Sequence, residues 1–307
     1  MVSGDRSILR GKQGAFWYTL EEFSKHWERI DLLCPNAGET RSAQPFPNVF
    51  FHASSEGLLR QPAWVAAAGA RLFAAERHAV MTAHEYPPFY NGIGARRLHK
   101  ATGIPYALEI HHLIGVPRPA SLQEAAGALL SRLYLRYDAT PAAAVRVVNA
   151  QVARTLAGWG IPAEKIHIVP SFYLDRALLK PDPSVPKIYD VAFAGRLAAN
   201  KGLDRYLKAV AGLPDARAVV IGDGPERASA ERLAERLGVL PRVTFTGWLR
   251  KQEDVLFAVQ SARVFVMPSL SEGGPRIALE AMACGMPVIS TRVGVMPETI
   301  RHGENGI

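Results

Sequence analysis

The stretch Met267-Pro268-Ser269-Leu270-Ser271-Glu272-Gly273-Gly274-Pro275-Arg276-Ile277-Ala278-Leu279-Glu280 decides how the chain is read. A strand, Val264-Phe265-Val266-Met267, ends at Met267-Pro268-Ser269. A glycine pair follows, and a proline then opens a helix expected over 277–284, as proline favours the first helical position. Glu272 falls in the loop and Glu280 within the helix, so both can face one pocket. Amides of Gly274 to Ile277 can hold a phosphate or a sugar hydroxyl at the helix N-terminus. A carboxylate can grip ribose hydroxyls or a sugar ring. Two glutamates at this spacing are common by chance, and the glycine-proline context is what favours a binding element.

Working outward, short β-like runs alternate with amphipathic helical runs. Strands are expected over 189–194, 217–221, 243–245, 264–267 and 288–290, with helices over 202–212, 225–237 and 277–284. Upstream, strands are expected over 30–34, 79–83, 106–110, 145–149 and 166–169. Residues 64–76 and 123–137 carry apolar side chains at helical spacing. Such alternation predicts parallel sheets covered by helices on both faces. Pro181-Asp182-Pro183-Ser184-Val185-Pro186 is the best linker, because three prolines in six residues continue neither a helix nor a central strand. The expected domains are residues 1–172 and 189–307, joined by 173–188.

Composition agrees. The 307 residues suit two domains, with 48% hydrophobic and 21% charged residues, which excludes disorder, collagen and a coiled coil. No apolar run is long enough to span a bilayer, and the polar opening Met1-Val2-Ser3-Gly4-Asp5-Arg6 predicts no signal peptide. Two cysteines, Cys34 and Cys284, build no disulfide framework, so a reducing, cytoplasmic setting is expected. The formal charge of +8 is spread along the chain. It suits an anionic small ligand or an acidic membrane surface rather than nucleic acid.

In open parallel sheets, ligands sit beyond the carboxyl ends of strands. Gly195-Arg196 follows one strand, and Asn200-Lys201-Gly202 precedes the next helix. Paired Arg donors and a mobile Lys charge suit a diphosphate, and they equally describe two solvated surface cations. Ile221-Gly222-Asp223-Gly224-Pro225 also joins a strand to a helix. It is not the dinucleotide fingerprint, because Arg227 stands where a third glycine would be. A plain tight turn explains it as well as a phosphate cradle does.

Taken in order, Phe193-Ala194-Gly195-Arg196-Leu197 with Lys201-Gly202, Gly222-Asp223-Gly224-Pro225, Phe245-Thr246-Gly247-Trp248, Met267-Pro268-Ser269, the Glu272-to-Glu280 element and Gly285-Met286-Pro287-Val288-Ile289 resemble the retaining glycosyltransferases of family 4. The resemblance covers residues 189–307. It is weaker in the first half, where it rests on Gly92 to Lys100, Gly103-Ile104-Pro105, His111-His112 and 163–171. It implies the α/β GT-B fold, with two Rossmann-like, doubly wound parallel-sheet domains facing a cleft. The implied activity is transfer of a sugar from a nucleotide-sugar donor to a hydroxyl of a sugar, lipid-linked or glycoconjugate acceptor, with retention.

The resemblance also implies residue roles. Arg196 and Lys201 hold the donor diphosphate, Gly273, Gly274 and Pro275 cradle sugar and phosphate, Glu272 binds the sugar, and Glu280 binds the ribose. Thr246-Gly247-Trp248 lies beside the base, and Gly195 and Gly222 line the donor site. A histidine contacts the donor sugar: His111 is the first choice and His112 the second, with a buried structural histidine as the other explanation. Gly11 and Gly14 stand where the family has a glycine-rich loop. No cofactor or metal is expected, since the chain has no Asp-x-Asp and no metal-spaced His/Cys cluster.

Departures from the pattern predict a missing first strand, a missing C-terminal end, and Ser171-Phe172-Tyr173-Leu174-Asp175 in place of Asn-Gly-Val-Asp. A nucleotide-sugar-binding remnant is therefore a rival to an active enzyme, and an epimerase of the same fold is a third reading. Peripheral contact with an anionic inner-membrane face is a further expectation.

Overall fold

The computed structural model describes residues 1–307 except 12–13, 39–41, 171–173 and 175–176. The Lys12-Gln13 part of the first glycine loop and most of the 171–175 segment therefore lie outside the described residues. The chain divides into two compact units, Met1–His112 with Leu129–Tyr173, and Leu113–Ala128 with Leu174–Ile307.

In the first unit the strands are β1 (Ile30–Cys34), β2 (Ser42–Phe46), β3 (Val49–Ala53), β4 (Met81–His84), β5 (Tyr106–Ile110), β6 (Ala144–Val147) and β7 (Ile166–Ile168). The helices are α1 (Ala15–Ser24), α2 (Gln61–Glu76), α3 (Tyr90–Thr102), α4 (Leu122–Ala139), whose first turns count with the second unit, and α5 (Ala150–Gly158). β4, β5, β6 and β7 pair in parallel, in that order. β1 pairs in parallel with β3, and β2 lies antiparallel on the outside of β3.

The sequence predicts no first strand, yet Val2 makes parallel bridges to Leu33 of β1 and Ala83 of β4. Its amide donates to Thr82 O at 2.7 Å and its carbonyl accepts from His84 N at 2.9 Å. On the other side, Ser3 N donates to Leu33 O at 3.0 Å and Leu33 N to Met1 O at 2.8 Å. One residue thus occupies the place of a central strand, giving the order β2-β3-β1-Val2-β4-β5-β6-β7.

Two elements evade periodicity for identifiable reasons. β2 contains Pro45, which an edge strand tolerates because one side of its ladder is unpaired. α3 contains Gly92 and Gly94, which cost helix stability. Close helix packing requires small residues here, since a Cβ on Gly94 would meet Val65 Cβ of α2 at 2.9 Å. α5 has an ordinary polar start, with Asn149 Oδ1 accepting from Val152 N at 2.8 Å.

The second unit holds β8 (Tyr189–Ala194), β9 (Ala218–Ile221), β10 (Val243–Gly247), β11 (Ala262–Met267) and β12 (Val288–Ser290). All four pairings are parallel, in the order β10-β9-β8-β11-β12. The helices are α6 (Leu203–Ala211), α7 (Arg227–Arg236), α8 (Gln252–Gln260), α9 (Arg276–Ala283) and the short α10 (Met296–Thr299). Leu203, Tyr206, Leu207 and Ala234 of α6 and α7 join one core with Val220. Leu256, Val259, Ala278 and Ala281 of α8 and α9 join another with Val219 and Phe265. The sheet is thus covered on both faces, as the alternation predicts.

α7 starts two residues later than expected. Pro225 belongs to the preceding turn, and Glu226 occupies the cap position. The proline-rich segment also does more than link. Leu179 and Val185 are buried, and the Asp182 amide donates to Gln260 Oε1 of α8 at 2.8 Å. Prolines exclude regular structure there without excluding packing.

Candidate functional site

The order of the second sheet reverses direction between β8 and β11, and a crevice opens beyond the carboxyl ends at such a point. The residues immediately beyond those two strands are the predicted ones. Gly195 and Arg196 follow β8, and Pro268, Ser269 and Glu272 follow β11. Arg196 is exposed and pairs with no acidic side chain among the described residues. Lys201 Nζ reaches Glu272 Oε1 at 2.6 Å, and Ser269 Oγ donates to the same oxygen at 2.8 Å. Asn200 Nδ2 donates to Ser271 O at 3.1 Å, and its carbonyl accepts from Leu270 N at 2.7 Å. The Lys201 turn and the Glu272 loop are thus tied by both backbone and side chains.

Glycines let these loops approach. Gly222, at φ 126°, packs where a Cβ would meet Gly195 O at 2.0 Å. Its amide donates to Gly247 O at 3.0 Å. The ends of β8, β9 and β10 therefore meet at Gly195, Gly222 and Gly247, all three predicted. Gly202 does the same service between the Lys201 turn and the β11 end, where a Cβ would lie 2.2 Å from Pro268 O.

Gly273 and Pro275 are buried and Gly274 is partly exposed at the start of α9. Pro275 is its cap residue, and intrahelical bonding begins with Ala278 N to Pro275 O at 3.0 Å. The first turn therefore presents amides toward the loop, the arrangement that favours an anion. Glu280, one turn inside α9, is buried. Its Oε1 accepts from Arg276 Nε at 2.6 Å and from Gln252 Nε2 of α8 at 2.7 Å. Burial raises its carboxyl above the usual range, and the Arg276 charge opposes that rise only in part. Among the described residues both donors go to Oε1, which leaves the second oxygen for a ligand hydroxyl. Trp248 is exposed beyond the end of β10.

In the first unit, β4, β5 and β6 set His84, Glu109 and Arg146 side by side in register. Glu109 is buried, with a side chain 4% exposed, whereas His111 is 43% exposed. Arg146 Nη1 donates to Glu109 Oε2. The same oxygen lies 3.4 Å from His111 Nε2, and Oε1 lies 3.5 Å from His84 Nε2. Burial alone would raise the Glu109 carboxyl. Hydrogen bonds from His111 and His84, with the Arg146 charge, instead hold it well below the usual carboxylate range. His84 packs against the His111 ring with centroids 5.3 Å apart. Ser3 Oγ, just beyond Val2, bonds His84 Nδ1 at 3.0 Å. His111 and His112 are both partly exposed, and the Nε2 atom of His112 is itself buried. Gly14 is exposed and caps α1.

Sequence reasoning quoted Ser269 without giving it a role, and it missed Gln252, Glu109 and Arg146. The last two left a signal: charges inside strands that otherwise read as buried, Ala-Leu-Glu-Ile and Ala-Val-Arg-Val. Among the described residues no group of three or more His, Cys, Asp or Glu side chains is placed to hold a metal. A cavity of about 510 Å³ also lies in the second unit, bordered by Pro119, Ala199, Arg205 and Arg236; none of the predicted residues lines it.

The sheet order, the glycine-spaced loops and the cation–carboxylate pair at the strand ends define an α/β protein of the GT-B type. Residues 19–171 match the family described as glycosyl transferase 4-like domain, and residues 179–307 match glycosyl transferases group 1. The two family models thus match in succession along the chain.

Sucrose-phosphate synthase from Thermosynechococcus elongatus has a similar structure, with a TM-score of 0.83 at 21% identity, over 100% of this chain and 84% of that one. HepE from Anabaena, solved in complex with UDP and glucose, gives 0.73 at 20%, over 100% and 83%. The lipopolysaccharide core biosynthesis glycosyltransferase LpsE of Rhizobium meliloti is 38% identical over 134 residues, which are 44% of this chain and 38% of LpsE. Sulfoquinovosyl transferase SQD2 of Arabidopsis thaliana is 29% identical over 233 residues, 73% of this chain and 45% of SQD2. The chain therefore spans less than half the length of these curated relatives. No helix among the described residues is long and apolar enough to cross a membrane.

Proposed function

We propose that the protein transfers a sugar from a nucleoside-diphosphate sugar to an acceptor hydroxyl, with retention of configuration. The observation that carries this reading is the Lys201–Glu272 pair, held by Ser269 beside the α9 N-terminus at the sheet's switch point. The bound states of HepE, with UDP and with UDP-glucose, support a nucleotide sugar as donor.

In this reading Lys201 and Arg196 take the diphosphate, and the first-turn amides of α9 add a fixed dipole. They stabilise the charge that develops as the bond from the anomeric carbon to the phosphate oxygen breaks. These groups perform the task a metal ion would otherwise serve. The acceptor oxygen bonds to the anomeric carbon from the face the diphosphate leaves, through an oxocarbenium-like state. The acceptor proton passes to the departing phosphate oxygen. Glu272 orients the sugar and Glu280, through its remaining oxygen, the ribose. Trp248 flanks the base, and His111 contacts the donor sugar. Cytoplasmic placement belongs to the same reading, its support being the two unpaired cysteines.

The test is mutational. Arg196→Ala and Lys201→Ala should each lower transfer by at least about 100-fold, the loss typical of removing a charge-stabilising donor, with the fold intact by circular dichroism. Undiminished transfer overturns the assignment. Calorimetry with UDP should show binding by the parent chain, and binding without any turnover would instead favour a nucleotide-sugar-binding remnant.

A further inference from the structure

The part of α4 within the first unit is apolar on the wrong side for a helix serving only a core. Its inward face is ordinary, with Ser131, Leu135, Asp138 and Ala139 all buried. Its outward face carries Leu129 and Leu133, 65% and 63% exposed, beside Leu130 and Tyr137, 48% and 51% exposed. At 100° per residue, positions 129, 133, 137 and 130 fall within one 100° arc. A soluble helix ordinarily fills that arc with charged residues. Here the arc is bordered by Arg132 and Arg136, both exposed, and neither pairs with an acidic side chain among the described residues. Arg96 of α3 adds a third cation at the helix end, its guanidinium 3.8 Å from the centroid of the Tyr137 ring.

The acidic residues of α4 are turned away from this face. Asp138 is fully buried, and Glu124 Oε2 bends back to accept from Ala120 N at 2.7 Å. The outward arc therefore offers apolar area and positive charge with nothing negative. That is the composition of a helix lying in a bilayer interface, leucines among the acyl chains and arginines at the headgroups.

We propose that α4 is a membrane-docking surface, and that its partner is the anionic leaflet of a lipid bilayer. Charge complementarity selects this partner over a second copy of the chain, which would bring the same arginines. The whole chain, at +8, is attracted in the same sense. The inference goes beyond the donor site and does not depend on it, since none of the residues assigned to donor chemistry lies on α4.

The experiment is vesicle sedimentation with the full chain, using phosphatidylcholine alone and phosphatidylcholine mixed with phosphatidylglycerol. Binding is expected to the mixed vesicles only, and to weaken as salt is raised. Arg132→Gln with Arg136→Gln should lower partitioning about 30-fold, corresponding to about 1 kcal/mol for each basic residue at an anionic surface. Leu129→Glu with Leu133→Glu should abolish it, while the melting curve and UDP binding stay those of the parent. In a Leu133→Trp variant the new indole should shift its emission to the blue on anionic vesicles. No sedimentation of the parent overturns the proposal, as does a bound Leu133→Trp chain whose emission does not move. A parent that is dimeric in solution, and that Leu129→Glu with Leu133→Glu renders monomeric without any vesicle binding, assigns the face to a second copy instead.

Discussion

Glu109 shows how a single residue organises a strand end. Its carboxylate is gripped by Arg146 and lies within reach of His84 and His111, while only His111 is substantially exposed. Its charge is anchored, because the depressed carboxyl stays ionised throughout the neutral and mildly acid range. We expect Glu109→Gln to lower kcat by about tenfold or more, as loss of a positioning hydrogen bond does, with little change in UDP affinity. Steady-state kinetics beside calorimetry checks this. An unchanged kcat with a lowered melting temperature would make Glu109 purely structural. The sequence hid this residue's role for a physical reason: two of its three partners, His84 and Arg146, come from neighbouring strands 25 and 37 residues away, so no local spacing records them.

At the scale of elements, the glycine-rich loops were legible because their constraint is local. Gly222 requires a left-handed φ and leaves no room for a side chain against Gly195. Gly222→Ala should therefore destabilise the chain by about 1–3 kcal/mol and weaken UDP binding together with it. Denaturant unfolding and calorimetry on the same sample test the pairing, and an alanine variant that keeps both properties would show the close approach to be dispensable. Strands β5, β8 and β12 match their expected bounds because they are short apolar runs between clear breakers. α3 did not show itself, because its glycines serve packing against α2 that only the tertiary fold reveals. The α9 element was readable since proline, glycine pair and both glutamates lie within nine residues and Ser269 stands three residues before Glu272, whereas Gln252 acts on Glu280 from outside the stretch.

At the scale of the molecule, stability should depend on pH through a buried acid pair. A Cβ on Gly92 would lie 2.2 Å from Glu85 Oε2 and 2.6 Å from Asp138 Oδ2, so both carboxyls crowd one helix start. Burial pushes Asp138 up to about 7, with Arg96 opposing, and burial with the neighbouring Asp138 pushes Glu85 well above its usual value. A carboxyl raised in the fold stabilises it fully below the unfolded value, and that contribution is lost as pH rises through the folded one. Stability should thus fall between about pH 4 and 7, with a slope near 1.4 kcal/mol per pH unit for each group titrating. Asp138→Asn should flatten this fall in urea titrations at several pH values. A parent whose stability is level across that range would contradict the shared burial.

The bridge at Val2 gives the first unit a mechanical character that its strand list conceals. Its parallel sheet consists of two leaves, β1 with β3 and β4 through β7, stitched along a line one residue wide. Within each leaf several residues share a tensile load along the strand. At the seam the load falls on five main-chain hydrogen bonds made by Met1, Val2 and Ser3. The seam also ends at Ser3, whose hydroxyl holds the His84 ring that leans on His111. A tear begun there would be felt at the histidines before any leaf had lost a strand.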